Sequence, residues 1–189
     1  MIRNDDQEQL LHLERKNLRY LNLFRLFAGL FFYMLVNNEY VANFFSTSEY
    51  HHYTADLVDI YLILSIALML ITYISQQQKV IAISKLTLFL DLFILIYLAF
   101  ATSGFSQGLA MLPVLAIGSA AILYRQALFI LLAPTTATIL LWLLPEVLDF
   151  SQQEVVTNSS KLLHALGYFV IALLGIRQSI SYTSTLQLY

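Results

Sequence analysis

No cysteine occurs among the 189 residues, which excludes disulfides, thiolate metal sites and a cysteine nucleophile. Charge is scarce as well. Only 12% of the residues are Asp, Glu, Lys or Arg, against about 25% in an ordinary soluble domain. The formal net charge of −2 carries no basic excess, so a nucleic-acid partner is not expected. No P-loop, GxGxxG, HExxH or DxDxDG string is present, which leaves nucleotide, zinc-hydrolase and EF-hand chemistry without a carrier and implies no cofactor and no metal. What is abundant is apolar: 59% of the chain is hydrophobic and its mean hydropathy is +0.70. A globule of this size cannot hide that much apolar surface, nor can so few charges build a polar exterior. The sequence is that of an integral membrane protein.

Six apolar stretches approach the ~20 residues that cross ~30 Å of hydrocarbon as a helix: Tyr20–Val36, Leu57–Ser75, Ala82–Ala101, Leu109–Tyr124, Ala127–Leu144 and Lys161–Ile176. The runs are continuous and rich in Leu and Ile, without the alternation of an outer-membrane barrel, so the expected fold is all-α, a six-helix transmembrane bundle. The tails and short connections hold no soluble domain of ~50 residues. With six alternating helices, Arg3, Arg15, Lys16, Arg19, Lys79, Lys85, Arg125 and Arg177 fall on one side, and Lys161 alone on the other. The positive-inside rule then places both termini in the cytoplasm, with the inner membrane of a bacterium as the expected location. Residues 1–19 form a cytoplasmic amphipathic segment, 20–176 the membrane domain and 177–189 a cytoplasmic exit segment. Leu10, Leu11, Leu13 and Leu18 stand among charges at near-helical spacing, as in a short helix lying on the cytoplasmic face. Asp5, Asp6 and Glu8 at the start argue against a cleavable signal peptide.

Charges inside the bilayer are costly and mark functional candidates. Arg25 in the first span and Asp91 in the third lie at equal depth, roughly 8–10 Å from the inner end. Opposite sign at equal depth suggests an interhelical ion pair, which either fixes helix register or makes and breaks as a switch; snorkelling of Arg25 to the headgroups is the remaining alternative. In the fifth span, Pro134 removes a backbone donor, so a kink is expected there, and Thr135, Thr136 and Thr138 can bond carbonyls of the preceding turn or of a neighbouring helix. Pro113 acts similarly near the outer end of the fourth span. Gly118, Ser119, Ala120 and Ala121 form a small-residue face suited to close helix contact, and Gly167 and Gly175 share a face of the sixth span, read as a dimer or bundle contact with bundle packing favoured.

The first outer loop, 37–54, mixes aromatics with Glu39, Glu49, His51 and His52, and Asp56 and Asp59 follow it. Adjacent histidines point to different sides, so a metal site needs partners from elsewhere; a patch sensitive to pH or cations suits the composition better. An intramembrane serine protease would need Ser119 beside His164, yet the glycine required two positions before the serine is Ile117, and the two residues differ in depth by ~10 Å. A small transporter or membrane scaffold is the alternative class, although the two halves share no repeated residues.

The order of features resembles the N-terminal membrane domain of PilS-type sensor histidine kinases. The likeness runs from NLRYLNLFRLFAGL (17–30), with Glu39 after it, through Leu90-Asp91-Leu92, and is strongest over TSGFSQGLAMLPVLAIGSAAILYR (102–125). The sixth span, LGYFVIALLGIRQ, is similar to the helix that leads into the cytoplasm. The resemblance implies a homodimeric six-helix sensor, the transmembrane helix of the major pilin as its partner, a cytoplasmic PAS and kinase region, and a response regulator downstream. Arg25 and Asp91 match polar positions of the pattern. None of His12, His51, His52 or His164 stands in a phosphoacceptor-like context, and ATP-binding boxes are missing. The chain is therefore expected not to be an enzyme by itself, but an excised input domain or a stand-alone relative.

Overall fold

Neither proline nor glycine occurs before Gly29, and the chain accordingly opens with one long helix. A computed structural model describes residues 4–44, 53–74, 78–102, 109–123, 127–147 and 157–186. They form α1 (Asn4–Asn37), α2 (Glu39–Phe44), α3 (Thr54–Ile74), α4 (Gln78–Ala101), a 3-10 turn (Leu109–Met111), α5 (Leu112–Leu123), α6 (Ala127–Val147) and α7 (Asn158–Leu186), with no strand among the described residues. The amphipathic segment before Tyr20 is not a separate element: it continues into the first apolar stretch as part of the 34-residue α1, because nothing at the junction breaks the helix. Asn38 ends α1 and caps α2, its side-chain oxygen accepting the N–H groups of Tyr40 at 3.0 Å and Val41 at 3.3 Å. Thr157 caps α7 in the same way through the N–H of Ser160.

Arg15–Asn37, Thr54–Ile74, Ile130–Val147 and Asn158–Gln178 are long and apolar enough to cross a membrane, whereas Leu86–Ala101 and Leu109–Ala120 are shorter apolar stretches. The chain is thus a multi-pass membrane protein. The 12 residues of α5 span only about 18 Å, the largest departure from the six full-length crossings expected of the sequence.

The helices pack in two rows of three. One row is α3, α4 and α6 and the other α1, α5 and α7, with α1 against α3, α5 against α4 and α7 against α6 across the rows. Residue 22 meets residues 68 and 72, and Gly29 meets Leu62, so α1 and α3 are antiparallel. Short connections continue the alternation and bring the start of α1 and the end of α7 to the same end of the bundle. Helix α4 lies in the middle. Every residue from 94 to 102 is buried, as its apolar, all-round surface requires. At Gly29 the helices come close enough that an added Cβ would lie 3.2 Å from Leu62 Cδ1 and 3.4 Å from its Cα. The glycines singled out in the sequence behave differently. Gly118 leaves ordinary contact distance to Ile171 on α7, and a Cβ at Gly167 would meet nothing within 4 Å, so Gly167 is not the close bundle contact expected of it.

Hydroxyls inside the apolar helices find partners locally, as a medium without water demands. Ser65, Thr102, Ser119, Thr135, Thr136 and Thr138 each donate to the carbonyl four residues earlier, at 2.7–2.8 Å. Pro134 is buried inside α6, which runs unbroken through it. Its threonine neighbours bond within α6 and not across to another helix. Pro113 stands in the first turn of α5, directly after the 3-10 turn, where a missing N–H leaves no helical bond unmade.

Candidate functional site

Inside the half of the bundle that holds the termini, three helices contribute polar side chains to one point. From α1 come Asn22 and Arg25, three residues apart and so on one face. From α4 come Thr87 and Asp91, four apart and likewise on one face. Thr72 and the Leu68 carbonyl complete the set from α3. Arg25 is 0% exposed and Asp91 2%.

The expected ion pair is formed. Arg25 Nη2 lies 2.6 Å from Asp91 Oδ2, and Nε donates to the same oxygen at 2.7 Å. Nη1 donates to Asn22 Oδ1 at 2.6 Å and Nη2 to Thr87 Oγ1 at 2.9 Å. The planar guanidinium fork therefore reaches acceptors on two helices at once. Asn22 passes the network on, its amide nitrogen donating to Thr72 Oγ1 at 2.8 Å and to the Leu68 carbonyl at 3.3 Å. The amide orientation follows from the neighbours, since a flipped Asn22 would face the guanidinium with its own donors. Snorkelling of Arg25 is excluded by this geometry: the side chain ends in the bundle, not at its rim. Above the pair stands Tyr61 of α3, 0% exposed and close enough to interact electrostatically with Asp91 and Arg25. Its buried hydroxyl faces Asp91 without reaching full hydrogen-bond geometry.

In a low-dielectric interior such a network is favourable only while every member is satisfied, and removing one charge leaves the other stranded. What it can do is hold α1, α3 and α4 in one relative register, and release them together if the pair opens.

Asn22, Thr72, Thr87 and Tyr61 are the residues that reading the charges alone overlooks. Two of them carried a usable signal, since Asn22 precedes Arg25 by three positions and Thr87 precedes Asp91 by four. The threonines of α6 and Pro134 are not part of this cluster. Of the outer candidates, Glu39 is exposed in the first turn of α2, and Asp56 and Asp59 are exposed on α3; a carboxylate at Glu39 or Asp56 complements the positive end of its helix. Glu49, His51 and His52 lie outside the described residues. Ser119 Oγ and His164 Nδ1 each bond within their own helix, to the carbonyls of Leu115 and Ser160.

At the opposite end of the bundle, Lys161 is nearly buried, with Nζ 5.3 Å from the centroid of the Trp142 ring, a cation–π contact joining α7 to α6. Tyr168 donates its hydroxyl to the Ala110 carbonyl and so ties α7 to the 3-10 turn before α5.

Among families of known proteins, the model of the PilS-like transmembrane domain matches residues 7–185. No curated protein and no solved structure matches the chain.

Proposed function

Because the chain belongs to the family of PilS-like transmembrane domains, we propose that it is the membrane-embedded signal-input module of a two-component sensor histidine kinase. In this reading α1, α3, α4, α5, α6 and α7 all cross the inner membrane of a bacterium, both termini are cytoplasmic, and two copies form a homodimer. The sensed partner is the transmembrane helix of a pilin. The module has no catalysis of its own; ATP-dependent phosphorylation and the response regulator belong to a cytoplasmic kinase region joined through α7. The basic residues at the end of the bundle that holds both termini support this orientation.

The observation that carries the reading is a family match that spans every helix from α1 to α7. The structure adds a mechanical route. Helix α7 is 29 residues long without interruption, about 43 Å at 1.5 Å per residue. It is therefore long enough to leave the hydrocarbon as a rigid rod and to carry a rotation or shift outward. A partner helix that docks better on one arrangement of the bundle shifts the population toward it, and the Arg25–Asp91 pair is the contact whose opening separates two such arrangements.

The test is a photo-crosslinking residue walked along the spans in cells that express pilin. Capture of the pilin transmembrane segment at consecutive positions of one helix face is the expected result. A complete walk without pilin capture rejects the partner, and reporter fusions that place residues 1 and 189 on opposite sides of the membrane reject the sensor topology.

A further inference from the structure

The cytoplasmic-end half of α1 and the middle of α5 do not close on each other. Between them lies a groove of 430 Å³ walled by Tyr20, Leu23, Phe24 and Phe27 of α1 and by Leu115 and Ser119 of α5. Tyr20, Leu23, Phe27 and Leu115 are exposed, so the groove opens outward to lipid. Ser119 donates its hydroxyl to Leu115, which leaves that wall without a free donor. Besides Ser119, the lining carries polar groups only on Asn17 and Tyr20, both toward the end nearest the N terminus. One position before it is Lys16, which is exposed. Lys16, Tyr20, Leu23 and Phe27 follow one another at spacings of four, three and four, so they share one stripe of α1. Lys16 stands in the first turn of the apolar span Arg15–Asn37, at the depth of the headgroups. Two further cations of α1 are engaged elsewhere: Arg19 lies 5.0 Å over the Tyr73 ring, and Arg25 is buried on Asp91.

We propose that this groove is a binding site for an anionic phospholipid of the leaflet on the N-terminal side, with one acyl chain between α1 and α5 and the phosphate on Lys16. The volume lies in the range of small-ligand pockets, about 300–1,000 Å³. The α1 wall is bulky, with Tyr20, Phe24 and Phe27 beside Leu23, unlike the small-residue strips that let a second helix backbone approach closely. A flexible chain fits between such walls. Moving an acyl chain from bulk lipid into the groove gains no hydrophobic free energy, because lipid tails are as apolar as leucine. Selectivity therefore comes from the headgroup, where one lysine near the surface favours an anionic lipid by about five-fold. The site does not depend on the sensor reading.

The test uses the full chain in nanodiscs, with Trp142→Phe to remove its one tryptophan and Phe27→Trp to place a fluorophore in the groove. Quenching by brominated phosphatidylglycerol is compared with quenching by brominated phosphatidylcholine. The expected result is a preference of about five-fold for the anionic lipid, kept in Lys16→Arg and lost in Lys16→Gln. Ser119→Leu, which fills the groove, should reduce quenching by both lipids alike. Equal quenching by the two headgroups, or a preference that survives Lys16→Gln, overturns the proposal. So does a photo-crosslinker at residue 27 that captures a second copy or another transmembrane segment while brominated lipid is excluded.

Discussion

Replacing Asp91 with leucine strands the Arg25 guanidinium at a site with no solvent exposure. The arginine loses both contacts to Oδ2, at 2.6 and 2.7 Å, and is left with neutral acceptors such as Asn22 and Thr87. Removing one member of a buried pair destabilises by about 3–5 kcal/mol, and Arg25→Met should fall in the same range. The double variant, with two apolar side chains facing each other, should lie within about 1 kcal/mol of the parent, since replacing both partners is often neutral. The coupling between the two positions is then at least about 5 kcal/mol. That is far above the ~0.6 kcal/mol average for interhelical hydrogen bonds in a membrane bundle, where the unfolded chain finds other partners.

The assay is reversible unfolding in mixed micelles with increasing denaturing detergent, followed by the fluorescence of the single tryptophan, Trp142. That residue lies on α6, away from the substitutions, and reports global unfolding without touching the pair. Exchange of the charges, Arg25→Asp with Asp91→Arg, should recover part of the loss seen in either single variant. Additive single effects, with a coupling no larger than ~0.6 kcal/mol, would refute the argument that the pair organises this half of the bundle.

Asn22→Ala removes an acceptor for Arg25 and both donations to α3, and should destabilise by about 1–3 kcal/mol in the same titration; a loss under ~0.5 kcal/mol would show that the amide is a bystander. Tyr61→Phe deletes a buried hydroxyl that falls short of full hydrogen-bond geometry, so stability should be unchanged or rise by up to ~2 kcal/mol. A fall of more than ~1 kcal/mol would mean that the hydroxyl is engaged with Asp91. Gly29→Val forces a branched side chain toward the Leu62 backbone, 3.4 Å from the first added atom, and should cost about 1–3 kcal/mol. The same substitution at Gly167, where the space is open, should be close to neutral; equal losses at both positions would contradict the close approach of α1 and α3.

The charges were readable because they are rare. In a chain so poor in ionisable groups, Arg25 and Asp91 stand out, and counting 1.5 Å per residue brings them level. Asn22 and Thr87 were readable only through their spacing of three and four from the charges, and Thr72 not at all, since uncharged polar residues inside apolar runs ordinarily bond to their own helix, as Ser65 and Thr135 do here. Only the packing of α1 on α3 shows that Asn22 turns outward. Glycine was ambiguous for a related reason: a missing side chain says that a neighbour is able to approach, not that one does. Gly29 meets Leu62, whereas Gly167 meets nothing within reach. The central position of α4 was visible only in outline, as a stretch apolar on every side, because hydropathy does not distinguish a helix surrounded by protein from one surrounded by lipid.

Arg25 and Asp91 are 66 residues apart in the chain, and that separation has a meaning during synthesis. At roughly 5–20 residues per second, about 3–13 seconds pass between the emergence of one and of the other from the ribosome. Throughout that interval α1 lacks the carboxylate that faces Arg25 in the folded bundle, and a long side chain in that position relieves its charge by bending toward the water-facing rim. Arrival of α4 lets the arginine swing inward. Biogenesis of the bundle therefore has a built-in waiting step, and a ribosome that pauses between residues 25 and 91 prolongs the period in which the newborn helix is open to membrane proteases.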